Sequence, residues 1–600
     1  MRGDCGSPSR RSSALWGKSS GGRSRSSALW GRGGRGFVAS LTVALGLTAP
    51  ATSVAASTEA QSGGSAAFVP ASLLSDAGAN LTATFSVIVQ GEGDVGSVAV
   101  GRMVDTEAME PEGVAEGPTD LFESINGVAA ELTGEQILSL AAKPGILAIT
   151  EDAPVVLTGN SGKRLWPYVS QQLWPYVTRV ARFWPEAALS RLHAPTIAVV
   201  DSGIDASRAD FAGRVVAEVD MTSLVPNADG DGWGHGTMVA GIAAGSAPGY
   251  VGAAPSAGLV SIDVMDDHGM AMTSDVIAAA DWIVEHKDVY GIRVANFSLQ
   301  ASEPTTFMFD PLDKAVERLW FGGVVVVTAA GNYAVNGEPS GVLFAPANDP
   351  FVITVGAIDV KGSLRTRDDV AAPWSAYGYT PDGFAKPELA APGRYMVGPI
   401  PPASALALQG ADYLVAPGYI QMSGTSFAAP VVAGAAADIL AVHPDWTPDQ
   451  VKGAIMLTTN PTPRAEPFST GVGELDAARA AGVSDPPNPN VALNEFLVPD
   501  PAGGSVPVFD AAGWEQAAQA DPAWATRASW GSRASWGSRA SWGSFYWDPA
   551  HWASESLSSR ASWGSRASWG SGPWLDNAAG ERSAEGGYWS PRFRHGDGGS

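Results

Sequence analysis

Between residues 190 and 485, short runs of apolar, often β-branched residues alternate with helix-like segments. The runs are TIAVVDSG, GLVSIDVM, RVANFSL, VVVVTAAGN and FVITVGAI, and segments such as TSDVIAAADWIVEHKD and PLDKAVERLWFG lie between them. A strand that is apolar at successive positions must be covered on both faces, and an intervening helix carries the chain back for a parallel strand. The pattern predicts an α/β fold, with a mostly parallel sheet between two layers of helices.

Three polar residues follow apolar runs at the places where such a sheet presents ligands, the carboxyl ends of its strands. Asp201 ends the apolar run of VVDSGID, His235 opens the small-residue helix of GWGHGTMVAG, and Ser426 lies at the strand-to-helix junction of SGTSFAAPVVAG. Serine is a poor nucleophile unless a neutral imidazole takes its proton and a carboxylate orients that imidazole. These three residues are therefore the candidate nucleophile, base and orienting acid.

A fourth residue, Asn332, comes directly after the apolar run VVVVTAAG. A side-chain amide at the end of a buried strand can donate a hydrogen bond to the oxyanion that forms during acyl transfer. Taken singly, each of the four residues also fits an ordinary cap or turn. Their common order and extended motifs favour catalysis.

These residues leave two alternative functions to consider. An esterase of the α/β-hydrolase type would carry its serine in a G-x-S-x-G turn, whereas Ser426 lies in Gly-Thr-Ser-Phe-Ala. A catalytically silent protein that binds surfaces through its tryptophan-rich tail is the second alternative. Labelling with a fluorophosphonate separates that protein from an enzyme.

The motifs DSGID, GHGT-VAG and GTSFAAP, in this order, resemble the subtilisin-like serine proteases, the subtilases, over residues 190–480. The resemblance implies a serine endopeptidase that acts on proteins or peptides and needs no cofactor. It places Ser426 as nucleophile, His235 as base, Asp201 as its orienting acid and Asn332 as oxyanion donor.

The resemblance also assigns a specificity pocket. One wall would be the strand FSLQ, which carries Ser298 and Leu299, and the other would be Ala329, Ala330 and Gly331. The chain departs from the family at two further positions. Met238 stands where many relatives have His, and Gln300 stands where Gly is usual, so Gln300 is expected to narrow or polarise the pocket.

No metal is assigned, although Asp210 matches a calcium ligand of some relatives. The nearby loop, residues 246–251, is too short for the usual cage of carbonyls, so calcium is left open.

Residues 81–157 form a separate strand–helix–strand pattern, and they resemble the inhibitory propeptide of the subtilases. Thr133 and Gln136 predict a capping box at the start of its helix. The propeptide would be a small α+β domain that assists folding and then inhibits the enzyme as an intramolecular partner. Self-cleavage is expected between residues 158 and 180, in a zymogen.

Two connecting segments flank this unit. Residues 57–80 are rich in small residues and are interpreted as a linker. Residues 158–189 contain the pentapeptide LWPYV twice and are interpreted as a connector with exposed tryptophans. Each proline there disfavours helix at the residue before it.

The first 56 residues have the layout of a secretory signal peptide. A basic stretch is followed by an apolar run and by the small residues Val54-Ala55-Ala56. Cleavage after Ala56 would also remove Cys5, the single cysteine of the chain. The sequence thus predicts a secreted, extracellular protein without disulfides and without a membrane span after signal removal.

The net charge of the 600 residues is −24, and residues 1–56 hold eight Lys/Arg and one acid. The remainder, with 29 basic and 60 acidic residues, repels phosphate backbones, so a nucleic-acid partner is excluded.

Residues 486–600 are predicted to be a low-complexity tail that repeats Arg-Ala-Ser-Trp-Gly-Ser five times. A six-residue repeat that offers no aliphatic core is not expected to fold alone. The tail is interpreted as disordered, and attachment to cell-wall sugars or other cell surfaces through exposed indoles is the alternative.

Overall fold

A computed structural model describes residues 67–108, 120–157, 159–160 and 172–520. The predicted signal peptide and the hexamer repeats lie outside these residues, as do residues 158 and 161–171 of the connector.

The first unit is an antiparallel sheet with helices packed against it, as its pattern predicted. Its strands are β1 (Thr84–Gly91), β2 (Asp120–Phe122), β3 (Gly127–Thr133) and β4 (Ile146–Glu151), in the order β2-β3-β1-β4. Its helices are α1 (Ala71–Ala79), α2 (Ser97–Ala108) and α3 (Gly134–Ala141). The capping box is present, because Thr133 and Gln136 each accept a hydrogen bond from the other's backbone N–H.

This unit begins earlier than residue 81. Residues 71–79 form a helix instead of a linker, since Leu73 and Ala77 are buried in the core of the unit. Phe68 forms a β-bridge to Ala148 and stacks on the ring of Phe309 in the following region. The sequence did not indicate this helix, because the segment is rich in small residues and only Leu73 and Ala77 pack in the core.

Two short strands follow, β5 (Pro154–Leu157) and β6 (Gly159–Asn160). The rest of the chain contains most of the secondary structure. Its strands up to residue 424 are β7 (Thr196–Asp201), β8 (Val215–Asp220), β9 (Leu259–Asp263), β10 (Met270–Met272), β11 (Ile292–Phe297), β12 (Leu299–Ala301), β13 (Val325–Ala329), β14 (Ile353–Asp359), β15 (Val370–Ala371), β16 (Gly378–Tyr379), β17 (Ala385–Lys386), β18 (Leu389–Pro392), β19 (Met396–Pro399), β20 (Leu414–Ala416) and β21 (Tyr419–Gly424). Its helices are α4 (Trp174–Val177), α5 (Trp184–Ala188), α6 (His235–Ala244), α7 (Thr273–Tyr290), α8 (Pro311–Phe321), α9 (Ala405–Gln409), α10 (Thr425–Val442), α11 (Pro448–Thr458) and α12 (Ala477–Ala480).

Eight of these strands make the central sheet, in the order β15-β14-β13-β11-β7-β9-β8, with β18 also paired to β14. All pairings are parallel except that of β15 with β14. Helices α6 and α10 pack on each other and on the sheet, while α7 and α8 form another packed pair against it. The predicted three-layer α/β fold is confirmed, and each of the five apolar runs is a strand of the sheet.

Helix α10 is the one helix in the described part of the chain that is long and apolar enough to cross a membrane. However, 89% of it is buried inside the protein. Its run of small residues serves close packing, since Gly434 lies against the backbone of α6 and a Cβ there would come within 2.6 Å of the Ala243 carbonyl oxygen.

The connector and the C-terminal boundary differ from the predictions. Trp174 is buried, and the indole of Trp184 donates to the Gly252 carbonyl, so these tryptophans anchor the segment. Both start short helices, with proline in the first turn, where no backbone N–H is needed. Beyond residue 485, strands β22 (Leu497–Val498) and β23 (Val508–Phe509) and helix α13 (Ala511–Ala520) continue the fold.

Phe509 and Trp514 belong to the main hydrophobic core, where both contact the ring of Phe307. The folded region therefore extends to residue 520. The composition of residues 486–520 did not indicate a folded segment, because the apolar residues that anchor it in the core are few and far apart in sequence.

Candidate active site

The candidate residues meet at the carboxyl edge of the central sheet. Strand β7 ends at Asp201 and β13 ends at Ala329, so parallel pairing through β11 brings the residues that follow them together. Helix α6 begins at His235 and α10 begins at Thr425, and these two helices pack on each other. Four distant parts of the sequence thus contribute to one site.

Asp201 and His235 form a buried pair. Oδ1 of Asp201 lies 2.7 Å from Nδ1 of His235, and both side chains are excluded from solvent. A carboxylate at that distance fixes the Nδ1–H tautomer, so Nε2 is left with a lone pair and can act as a base. Within the described residues Nε2 makes no hydrogen bond. The imidazole packs on the ring of Phe427, with centroids 5.1 Å apart.

A second carboxylate, Asp231, holds the backbone around the pair. It accepts hydrogen bonds from the N–H groups of Gly234 (2.6 Å) and Thr237 (2.8 Å) at the start of α6. The hydroxyl of Ser202 donates to Asp231 and accepts from the Gly236 N–H. Burial raises the pKa of Asp231 to about 7. Sequence reasoning missed this group, although it stands only four residues before the candidate base.

Ser426 lies in the first turn of α10 and is buried. Its carbonyl accepts a hydrogen bond from the Ser298 hydroxyl (2.8 Å), and Asn296 donates to that same hydroxyl (2.9 Å). Since Ser298 follows strand β11, this chain of bonds fixes the start of α10 against the sheet.

Asn332 is oriented by the residue next to Ser426. Its Oδ1 accepts hydrogen bonds from both the N–H (3.0 Å) and the hydroxyl (3.1 Å) of Thr425. These donors identify the amide oxygen, so the amide nitrogen must face the other way. Nδ2 is buried and makes no hydrogen bond in the part of the chain that the structure describes. The Nδ2 group is therefore an oriented hydrogen-bond donor with no acceptor among the described residues. Such a donor can stabilise an oxyanion.

The predicted pocket walls lie next to these residues. Leu299 is buried at the start of β12, and Ala329 and Ala330 are buried at the end of β13. The N–H of Gly331 donates to the Thr425 hydroxyl (3.1 Å), which ties this wall to α10.

Met238, the first departure from the family pattern, packs in the hydrophobic core. It packs on Gly398 from within α6 and is fully buried, so it contributes to the core.

Asp210 has protein partners that take the place of a cation. Its carboxylate lies 3.0 Å from the guanidinium of Arg208 and accepts from the Tyr419 hydroxyl. Arg208 also donates to the carbonyls of Ile400 and Gly418, which are the kind of ligand that calcium requires. The donor set at Asp210 therefore does not fit a calcium ion. No group of three or more His, Cys, Asp or Glu side chains among the described residues could hold a metal.

Two strands of the chain itself lie along the site. Strand β5 lies between β10 and β12 in antiparallel pairing, with Leu157 opposite Leu299. Strand β6 pairs with β21, with Gly159 opposite Gly424. Leu299 follows Ser298, whose hydroxyl bonds to the Ser426 carbonyl, and Gly424 stands two residues before Ser426. The ends of β5 and β6 thus approach the candidate nucleophile from two sides.

Part of the chain is similar to known proteins. A model of the subtilase family matches residues 193–479. The serine protease AprX of Bacillus subtilis is 34% identical over 294 residues, which cover 47% of this chain and 65% of AprX. A subtilisin of Bacillus pumilus is 33% identical over 287 residues, which cover 48% of this chain and 90% of that protein.

An extracellular serine proteinase of a Thermus species is 30% identical and is covered to 72% of its length. Several other subtilisins, like AprX, are covered to 65% of their length. Fervidolysin from Fervidobacterium pennivorans, described as a keratinolytic enzyme related to subtilisin, superposes with a TM-score of 0.50 at 23% identity. The match spans 68% of this chain and 62% of fervidolysin, and it shows a shared fold.

Proposed function

Because the chain belongs to the subtilase family, we propose that it is a serine endopeptidase that hydrolyses peptide bonds through an acyl-enzyme. The observation that carries this proposal is the buried Asp201–His235 pair, at 2.7 Å, on the same sheet edge as Ser426 and the directed amide of Asn332. Substrates would be proteins or peptides, since the strands on both sides of the site already hold an extended chain.

The proposed mechanism uses these positions. Oγ of Ser426 attacks the peptide carbonyl carbon while Nε2 of His235 takes its proton. Asp201 holds the ring and stabilises the imidazolium that forms. The carbon–nitrogen bond then breaks, and the leaving amine receives the proton from Nε2. Water, activated in the same way, releases the acyl group and restores Ser426.

The charge on the tetrahedral intermediate is stabilised by two donors. Nδ2 of Asn332 and the backbone N–H of Ser426 would both point at the oxyanion. The second donor lies in the first turn of α10, where the helix dipole favours negative charge. Thr425 holds Asn332 in place before the substrate arrives, so its amide does not reorganise during the reaction.

We also propose that the chain is a zymogen cut after Thr158. The proposal is supported by the pairing of the residues on either side, since Leu157 pairs with Leu299 and Gly159 pairs with Gly424, close to Ser426 on both sides. The proposed cut then falls between these two paired residues.

The first unit would block substrates until it is removed. It contacts the peptidase region through the stacked ring of Phe68 and through bonds from its loops to α7, and β5 follows it directly along the chain.

Intact-mass spectrometry of the purified wild type and of Ser426→Ala tests both proposals. We expect the wild type to lose its N-terminal part and to begin at Gly159, while Ser426→Ala keeps the bond. A fluorophosphonate should label Ser426 in the processed wild type. Labelling therefore tests the nucleophile separately from the cleavage, which the intact mass measures.

Three outcomes contradict parts of the proposal. Identical processing of both proteins would show that Ser426 does not make the cut. A different new N-terminus would reject Thr158 as the cleavage position but leave the endopeptidase intact. Absence of both labelling and peptide hydrolysis would support the catalytically silent alternative.

Secretion is a further part of the proposal. It rests on the signal-like layout of residues 1–56 and on similarity to a relative named as extracellular. An antibody to residues 190–480 should detect the processed protein in the culture medium. Detection in the cytoplasm alone would contradict it.

A further inference from the structure

Two side chains lie against the wall of the specificity pocket. Gly331 has φ +106°, a conformation that favours glycine, and its backbone is closely approached by both. A Cβ built on Gly331 would come within 2.7 Å of Oε1 of Gln300 and 2.4 Å of Cε1 of Tyr333. Both side chains therefore already touch the backbone that is assigned to the pocket wall.

Tyr333 is held firmly in that position. Its hydroxyl accepts a hydrogen bond from the Leu343 N–H (3.0 Å) and donates to the Gly341 carbonyl (3.3 Å). Its ring meets Phe344 edge to face, with centroids 5.2 Å apart. A large substrate side chain could not displace the ring without breaking these contacts.

Gln300 reaches the same face of Gly331 from strand β12. It is the middle residue of β12, whose backbone pairs with β5, and its side chain spans from that strand to Gly331. Gln300 thus bridges the two walls between which the side chain of the residue before the cut must enter.

We infer that Gln300, backed by Tyr333, restricts the enzyme to cleavage after small residues such as Ala, Ser and Thr. The inference rests on the proposed function and names its substrate class. The chain's own proposed cut follows Thr158, a small residue. Because misfit by a single methylene costs about 10–200-fold in kcat/KM, cleavage after Phe should be weaker than after Ala by at least about 10²-fold.

The first test is a set of peptides that differ only in the residue before the cut, hydrolysed by the processed wild type. We expect Ala, Ser and Thr to exceed Leu and Phe in kcat/KM. Equal or better cleavage after Phe, by an enzyme whose Ser426 is labelled by a fluorophosphonate, overturns this inference and leaves the proposed function standing. Loss of both labelling and hydrolysis overturns the two together.

Variants of Gln300 then distinguish the effect of its side-chain size on specificity from the effect of its polar amide. Gln300→Gly should raise the Phe-to-Ala ratio of kcat/KM by about tenfold or more, since it opens the bridge. Gln300→Met fills nearly the same volume without an amide and should keep the wild-type ratio. If Met raises the ratio as much as Gly does, size is not the cause and the inference fails.

Self-processing gives a second readout in the unprocessed chain. Thr158→Phe should slow the cut after residue 158 in the wild-type background, and the addition of Gln300→Gly should restore it. The chain already carries this peptide, so the readout does not depend on the choice of an external substrate. Normal processing of Thr158→Phe alone would contradict a narrow pocket.

Discussion

The candidate active site and the surface that holds the first unit use carboxylates to join different parts of the chain. In the site, Asp201 faces an imidazole, and Asp231 accepts hydrogen bonds from two backbone N–H groups and a hydroxyl. On the surface, Asp152 and Asp281 are held by neutral donors, a serine hydroxyl and backbone N–H groups.

The surface carboxylates also face other acids. Burial raises the pKa of Asp152, and the charges of Glu131 and Asp120 raise it further. Burial likewise raises the pKa of Asp281, with a contribution from Glu123. In the candidate site the carboxylates bond to residues of the same region, whereas at the surface they join the first unit to α7, so ionisation of Asp152 and Asp281 should weaken that contact. The proposed zymogen would need both a permanent site and a contact that can be released.

The largest expected effect concerns the pair at the centre of the site. Asp201→Asn should reduce kcat by about 10⁴, as in other Asp–His–Ser triads, because an amide favours the wrong imidazole tautomer. Peptide hydrolysis by the variant, after maturation with active enzyme, measures this. Asp205→Asn is the control, since this half-buried carboxylate of the same loop bonds to Ser207. A loss below about tenfold would mean that Asp201 does not orient the base.

Asn332→Ala should lower kcat by about 10²–10³, with little change in KM, because the lost donor acts only on the oxyanion. That magnitude is the one known for the corresponding donor of a subtilisin, a member of the same family. Peptide hydrolysis over a range of substrate concentrations separates kcat from KM. A rise in KM with unchanged kcat would mean that Asn332 binds the substrate and does not stabilise the oxyanion.

Thr425→Val removes a bond that orients Asn332, and it should cost less, roughly tenfold in kcat, while Thr425→Ser retains the hydroxyl. The same hydrolysis assay compares the two variants. A Thr425→Val variant as impaired as Asn332→Ala would show that Thr425 has a larger role than orientation.

The ion pair at Asp210 offers a test of stability. Arg208→Met leaves a buried carboxylate without its cation and should lower the free energy of unfolding by about 3–5 kcal/mol. Arg191→Met removes an exposed pair with Glu186 and should cost at most about 1 kcal/mol. Urea unfolding of the inactive Ser426→Ala background measures both. A chelator should leave the free energy of unfolding of the Ser426→Ala protein unchanged. A large decrease in that free energy would indicate that the protein binds calcium.

The smallest expected effect is the pH dependence of inhibitor release. A carboxyl whose pKa is higher in the bound state contributes fully to binding below its free pKa, about 4, and loses that contribution as the pH rises through the raised value. The processed first unit should therefore bind more weakly at pH 8 than at pH 5, with a higher dissociation constant at pH 8.

Size-exclusion chromatography of the fluorophosphonate-labelled, processed protein at several pH values measures the bound fraction. Asp152→Asn should flatten the dependence, while Asp94→Asn, which alters an exposed residue of the same unit, should not. Tighter binding at pH 8 would contradict the role assigned to these carboxyls.

Much of this molecule could be predicted because the signals are local. The five apolar runs, the capping box of the first unit, and the residues proposed for catalysis all stand within short motifs. Strand β8 was missed because it is an edge strand whose exposure alternates, unlike the continuous runs of its neighbours. The contacts of Asp231 were missed although Gly234 and Thr237 are near it in sequence, because residue types do not show which N–H groups a turn brings to a carboxylate. Those of Arg208 with Ile400 and Gly418 were missed because these residues lie far along the chain.

The sequence by itself determined the layers, the strands and the four residues proposed for catalysis, because periodicity and compact motifs encode them along the chain. Only the tertiary structure decided that Arg208 pairs with Asp210 inside the protein, that residues 486–520 complete the core, and that Gln300 reaches Gly331. Those facts depend on distances between segments far apart in sequence, and such distances are set by the packing of helices on the sheet. Residue types alone do not specify them.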